Sequence, residues 1–306
     1  MVLLILASTC FATTEGSPNI VVSIKPFYNL VAAVTKNSCQ LKLLVHGNNS
    51  PHDYTLKPSD LQILAQANII FWGGQNIESF LAKVINKSSK NGSNTEAINL
   101  SALPGIELLP IRNSVNWEPH KHCNNDAHIE NNFDPHLWLS IHNAKIMLNN
   151  IAATLGKYDP ENTLLYQANA NDFLQRLEQL DKQSKIKLSR VKDKRYVVLH
   201  DAYQYFEKNY SLSPAGAITL HPEIPPSVKH MQEIRQLIQH EQMQCLFSEP
   251  QLQPPFIKNL LKGTKVKIGS LDPIGEDLDM GENGYLILIK KLTDNMFSCL
   301  GKLPES

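Results

Sequence analysis

Ile20-Val21-Val22-Ser23-Ile24-Lys25-Pro26-Phe27-Tyr28-Asn29-Leu30-Val31-Ala32-Ala33-Val34 is the stretch from which the fold can be read. It opens with a short apolar run rich in β-branched residues, which predicts a strand over 20–24. A proline and an amphipathic run follow, which predict a helix over 26–34. Outward from there the same unit returns. Leu41 to Val45 reads as a strand, and Ser59 as the cap of a helix running to about Gln66. Ile69 to Trp72 reads as a strand closed by Gly73-Gly74, with a helix from about Ile77 to Ile85 and a short strand near Ile98 behind it. Strand, turn and helix in alternation predict a mainly parallel sheet with helices on both faces.

The regularity stops between about Asn113 and Asp134, a polar stretch without period that reads as a loop. A helix over about His142 to Leu155 leads to Asp159-Pro160, which opens a longer helical stretch reaching the region of Lys194. Leu164, Leu165, Ala168, Phe173, Leu177 and Leu180 are its expected apolar face, and a helix of about thirty residues would make a stiff connector. Beyond it the scheme repeats, with strands expected at 196–199, 217–220, 245–247 and 266–271 and helices near 202–209, 227–239, 255–261 and 283–300. The fold class is therefore α/β, two doubly wound lobes joined by one long backbone helix. The expected division is a signal peptide over 1–16, a first lobe over 17–156, the linking helix over 157–193 and a second lobe over 194–306.

A chain of 306 residues exceeds what one hydrophobic core usually supports, which agrees with two lobes. Hydrophobic residues make up 42% and charged ones 19%, and 29 basic side chains balance 29 acidic ones, so nothing points to nucleic acid or to an anionic lipid surface. Histidine is in excess: eleven occur, and His120, His122, His128 and His136 crowd one polar stretch. Val2 to Ala7 followed by Ser8 and by Cys10-Phe11-Ala12 reads as the apolar core and cleavage region of an export signal, although no Lys or Arg precedes Lys25. The run is too short to span a membrane, which takes about 20 residues. Thr9 before Cys10 is a poor match to a lipoprotein box, so a soluble exported protein is expected rather than a lipid-anchored one. Export makes disulfides possible. Cys10 leaves with the signal; Cys245 and Cys299 could staple the second lobe, worth about 4 kcal/mol in the chain-entropy model; Cys39 and Cys123 are left as free thiols or a second bridge.

In open α/β sheets ligands bind beyond the carboxyl ends of the strands. His52 follows the strand 41–45 through a short loop, His136 lies in Phe133-Asp134-Pro135-His136-Leu137-Trp138, His200 directly ends the strand 196–199, and Asp272 directly ends the strand 266–271. Two come from each half, as a site in an interlobe cleft requires. Three imidazoles with a carboxylate or water suit tetrahedral zinc, and manganese prefers more oxygen donors.

The chain resembles the metal-specific solute-binding proteins of ABC transporters, and within them the periplasmic zinc-binding proteins, over residues 18 to 302. The resemblance is carried by Ser50-Pro51-His52-Asp53-Tyr54, Pro135-His136-Leu137-Trp138-Leu139-Ser140, Leu199-His200-Asp201-Ala202-Tyr203, Pro222-Glu223-Ile224, Phe247-Ser248-Glu249-Pro250-Gln251 and Leu271-Asp272-Pro273-Ile274-Gly275. It implies that His52, His136 and His200 ligate Zn2+, that Asp272 lies at or near the ion, and that histidine rather than glutamate at position 200 selects zinc over manganese. It implies the Cys245–Cys299 bridge, a His-rich loop here reduced to His120, His122 and His128, and a membrane permease as partner to a monomeric periplasmic protein. Some relatives carry a glutamate just before the first ligand. Pro51 stands there in this chain, so the fourth coordination place falls to Asp272 or water.

The loop histidines also fit simple solvated residues, and His46, His142, His221, His230 and His240 read as structural or surface groups. Glu249 is expected to hold a ligand histidine by hydrogen bonding, with Trp138 and Tyr203 as packing. Two rival readings are a manganese or iron carrier or metal-dependent adhesin on the same scaffold, and a zinc hydrolase. The chain has neither a His-Glu-x-x-His helix nor a glycine-framed serine to support the hydrolase.

Overall fold

The computed structural model describes residues 18–46, 50–90, 94–112, 133–220, 225–240, 243–250 and 255–301. The expected signal over 1–16 with Cys10, the loop residues His120, His122, Cys123 and His128, and His221 to Ile224 lie outside the described residues.

Two parallel sheets carry the fold. In the first, β1 (Asn19–Val22), β2 (Gln40–Leu43), β3 (Ile69–Trp72) and β4 (Glu96–Asn99) lie in the order β2-β1-β3-β4. The second repeats it with β5 (Tyr196–His200), β6 (Pro214–Thr219), β7 (Cys245–Ser248) and β8 (Lys267–Ser270) in the order β6-β5-β7-β8. The direction of winding reverses between β1 and β3 and again between β5 and β7, and each reversal opens a crevice at the carboxyl ends of the strands. Helices cover both faces: α1 (Lys25–Thr35), α2 (Pro58–Ala65) and α3 (Ser79–Lys90) in the first half, α4 (Ile141–Tyr158) and α5 (Thr163–Leu188) between the halves, and α6 (Gln204–Tyr210), α7 (Val228–His240), α8 (Phe256–Leu260) and α9 (Gly284–Leu300) in the second.

Alternation along each strand divides the core in three. Ile20 and Val22 of β1, Ile69 and Phe71 of β3, and Tyr196 and Val198 of β5 enter one large core with α1, α4, α5 and α9. Val21, Ile70 and Trp72 point the other way into a smaller core with Leu64, Leu81 and Ile85, while Val197, Leu199 and Leu246 meet Ile234, Ile238 and Ile257. The large core draws on both sheets, so the two halves share one apolar interior. Hydrogen bonds cross the boundary as well: Tyr285 Oη donates to Trp138 O at 2.6 Å, Trp138 Nε1 to Pro273 O at 2.7 Å and Lys25 Nζ to Glu276 O at 2.6 Å.

Several local expectations are corrected. Ser59 does not cap α2; Lys57 occupies the cap with Pro58 in the first turn, and the Asp60 carboxylate accepts the Lys57 N–H at 2.8 Å. Proline lacks the N–H that a first-turn residue leaves unsatisfied, so it displaces the start by two positions. β6 begins at Pro214 rather than near Ala217, in register with Tyr196 of β5. α5 spans 26 residues, and its buried face is Tyr166, Ala170, Phe173, Leu177 and Leu188; Leu164 is 80% exposed and Leu165 45% exposed. Tyr166 fixes that rotation by donating to Asp159 Oδ2 at 2.7 Å and meeting Cys39 Sγ at 3.2 Å, and Asn169 Nδ2 donates to Val34 O at 2.9 Å. Cys245 and Cys299 are disulfide-bonded, tying β7 to α9, and Cys39 is a buried free thiol.

Candidate metal centre

Each histidine reaches the cleft through a different local device. His52 sits in the turn after β2, its backbone N–H on Ser50 Oγ at 3.2 Å. His136 precedes a short 3-10 turn over Leu137–Leu139 and is held by Asp134, whose Oδ1 accepts the His136 backbone N–H at 3.0 Å and lies 2.7 Å from Nδ1. His200 is the last residue of β5, with Nδ1 3.2 Å from Glu249 Oε1 just beyond β7. β5 and β7 flank the second switch point, so strand order alone brings His200 and Glu249 together.

The three rings converge. Their centroids lie 5.3 Å (His52–His136), 5.5 Å (His52–His200) and 4.9 Å (His136–His200) apart, and one ligand nitrogen from each lies within 4.8 Å of the other two. That spacing lets one small cation be reached by all three. His136 and His200 are each 3% exposed. A carboxylate only accepts, so Glu249 and Asp134 call for a proton on Nδ1 of their histidines and leave the Nε2 lone pairs for a ligand. His200 Nε2 is buried with no hydrogen-bond partner among the described residues. Leaving such a group unsatisfied costs about 1–3 kcal/mol, and a cation on that lone pair relieves it. The donor set thus fits a borderline divalent ion such as zinc.

Asp272 is not in that group of three. Its Oδ1 accepts from the backbone N–H of Ile274 at 3.1 Å and Gly275 at 2.9 Å, and its Oδ2 accepts from Glu276 at 2.6 Å. The carboxylate shapes its own loop, and Gly275 at φ +70° supplies the left-handed residue that the turn needs. Trp138 and Tyr203 line the site. The Trp138 ring lies 5.3 Å from His136, and Tyr203 Oη donates to Leu271 O at 3.1 Å and approaches Glu249 Oε1 at 3.4 Å. His142 and His230 bond to the backbone carbonyls of Gly105 and Ala217.

Electrostatics around the rings are dominated by buried carboxylates. Burial pushes the Asp134 and Asp201 carboxyls up to about 6 and raises Glu207, against the pull of Arg112. Burial draws the His200 imidazole down, but Glu249, with Asp201 and Asp134 behind it, outweighs burial and leaves its pKa above the ordinary value. Asp134, Asp201 and Arg112 carry no role in the sequence reading. Asp134 and Asp201 had a signal, each lying within two residues of a candidate ligand; Arg112 had none.

Two sheets of one strand order, sharing a cleft furnished with imidazoles from both sides, define a bilobed solute-binding protein whose solute is a cation. The chain belongs to the family described as zinc-uptake complex component A, periplasmic, whose model matches residues 20–299. Members of this family are non-enzymatic components of transporters. The high-affinity zinc uptake system protein ZnuA of Brucella suis is 35% identical over 324 aligned positions, covering 97% of this chain and 96% of its own. The protein of the same name from Yersinia pestis is 34% identical, with 93% and 92% covered. In structure the chain is similar to a Zn(II)-bound mutant of AdcAII from Streptococcus pneumoniae, with TM-score 0.78, 22% identity, and 93% of this chain and 99% of that chain covered. No helix among the described residues is long and apolar enough to cross a membrane.

Proposed function

We propose that this chain is the zinc-capturing component of an ABC-type uptake system, exported to the periplasm, where it binds Zn2+ at His52, His136 and His200 and passes it to a membrane permease. The observation that carries this reading is the convergence of three imidazole nitrogens within 4.8 Å from elements of both halves. Family membership and relatives named for zinc uptake support it. The lobes correspond to 17–156 and 194–306, with 157–193 between them, and the protein acts as a monomer. Glu249 and Asp134 orient two of the ligands, and Asp272 or water fills the fourth place. No bond in the cargo's path is broken or made except coordination itself: neutral imidazoles displace water from the ion, the carboxylates behind them hold ring direction, and release needs only that the two sides of the cleft part slightly.

The test is calorimetric titration of the metal-stripped protein with zinc and with manganese, beside the variants His200→Ala and Asp272→Asn. Expected are one tightly held zinc per chain, weak manganese binding, and a loss of at least 100-fold in zinc affinity for His200→Ala, on the scale of losing one of three ligands. Equal affinity for the two metals, or a His200→Ala variant that binds as the parent does, would overturn the assignment. A large loss in Asp272→Asn makes Asp272 the fourth ligand; retained affinity with lowered thermal stability assigns that place to water.

A further inference from the structure

We propose that Arg112 is a positioning residue of the metal site, tying the strand that carries His200 to the backbone that carries Asp134, the support of His136. The inference rests on the zinc-capture reading above. Arg112 belongs to the first half, yet its guanidinium crosses to the second: Nη1 donates to Asp201 Oδ1 at 2.8 Å and Nη2 to Glu207 Oε2 at 2.6 Å. Asp201 is bonded in the chain to His200. Glu207 lies in α6 and accepts from Tyr196 Oη, at the other end of the strand that carries His200, at 3.2 Å. One planar group therefore grips both ends of β5 through its neighbours.

The same residue reaches His136 by a separate route. Pro110 pairs with Phe133 in an antiparallel bridge and Asp134 N–H donates to Leu109 O at 2.8 Å, so the backbone leading to Arg112 lies against the backbone carrying Asp134. Tyr205 of α6 clamps the two, accepting from Leu109 N–H at 3.0 Å and donating to Asp134 O at 2.9 Å. The Arg112 charge also acts on Asp134 directly. Asp134, Asp201, Glu207 and Glu249 are each 8% exposed or less. Four buried carboxylates around three neutral rings repel one another unless a cation sits among them, and only the fork of an arginine can satisfy two at fixed angles. Without it, Asp201 and Glu207 lose the group that pairs them, and the segments that carry His136 and His200 lose their common anchor.

Outer partners of metal ligands are typically worth 10–100-fold in affinity. The experiment compares the full chain with Arg112→Gln, Arg112→Lys and Gly284→Ala, the last a destabilised control in the contact between α9 and Asn29 of α1. Two quantities are read: the imidazole tautomers of His136 and His200 by long-range 1H–15N NMR on metal-free protein, and zinc affinity by competition with a chromophoric chelator. Parent protein and Gly284→Ala should show Nδ1–H tautomers and equal zinc affinity. Arg112→Gln should show mixed tautomers and bind zinc 10–100-fold more weakly, and Arg112→Lys, which keeps the charge but not the fork, should lose about tenfold. Parental tautomers and affinity in Arg112→Gln overturn the inference; where that variant does not fold, the same result in Arg112→Lys does. If the parent itself takes up no zinc, the capture reading fails, and the tautomers of the metal-free proteins still decide the role of Arg112.

Discussion

His200 shows how one residue's chemistry is set by its place. As the last residue of β5 it is delivered to the crevice by strand order, and Glu249 beyond β7 accepts from its Nδ1. A protonated imidazole cannot hold a cation, so zinc affinity falls as pH drops through the histidine range. The Glu249 carboxylate leaves the His200 pKa above its ordinary value despite burial, so the decline begins at a higher pH than about 6.5, the value for a free side chain. Glu249→Gln removes that charge, and His200 then holds its proton less tightly. The decline should move to lower pH, while affinity at pH ~8 drops about 10-fold or more through loss of ring orientation. Zinc titrations between pH 5 and 8 check both signs; an unchanged pH profile would detach Glu249 from the site. The three histidines and Glu249 were legible in the sequence because each follows a recognisable strand or motif. Arg112 was not, since 89 positions of chain separate it from Asp201 and 95 from Glu207.

Among the elements, α9 of the second half packs against α1 of the first. It opens with Gly284 against Asn29 of α1, and a Cβ there would collide with the Asn29 amide. Asn29 is 2% exposed and its Oδ1 accepts the Gly281 N–H at 3.0 Å, so the side chain has little freedom to retreat. Gly284→Ala should destabilise by about 1–3 kcal/mol through overpacking, measured by denaturant unfolding with the m-value unchanged, and leave zinc affinity intact. A neutral result would mean that the contact between α9 and α1 yields without cost. The presence of nearly every strand and helix was legible from apolar runs and turn residues. The rotation of α5 was not: Leu164 and Leu165 look like core residues by type, but the hydroxyl of Tyr166 meets Cys39 and the amide of Asn169 donates to Val34, both in the first half, and these contacts turn both leucines outward. Polar anchors of this kind have no period to read.

For the whole molecule, the decisive feature is that the largest core takes side chains from both sheets and from α1, α4, α5 and α9 together. Two halves that share an interior cannot unfold independently without exposing it. Calorimetry of the metal-free protein should therefore show one transition with a calorimetric to van't Hoff enthalpy ratio near one. Zinc at 100-fold above its dissociation constant should add about 2.7 kcal/mol without splitting the peak. Two separate transitions would mean that the halves are autonomous. A shared core also limits closure around the ion to small adjustments. The sequence by itself determined the α/β class, the repeat of one winding scheme and the histidines that are candidates for the site, because these depend on residues close together in the chain. Only the tertiary structure decided which faces of the long helix are buried, that the two halves share a core, and that Arg112 stands among the carboxylates behind His136 and His200. Those facts depend on contacts between residues far apart in sequence, and local patterns of polarity carry no record of them.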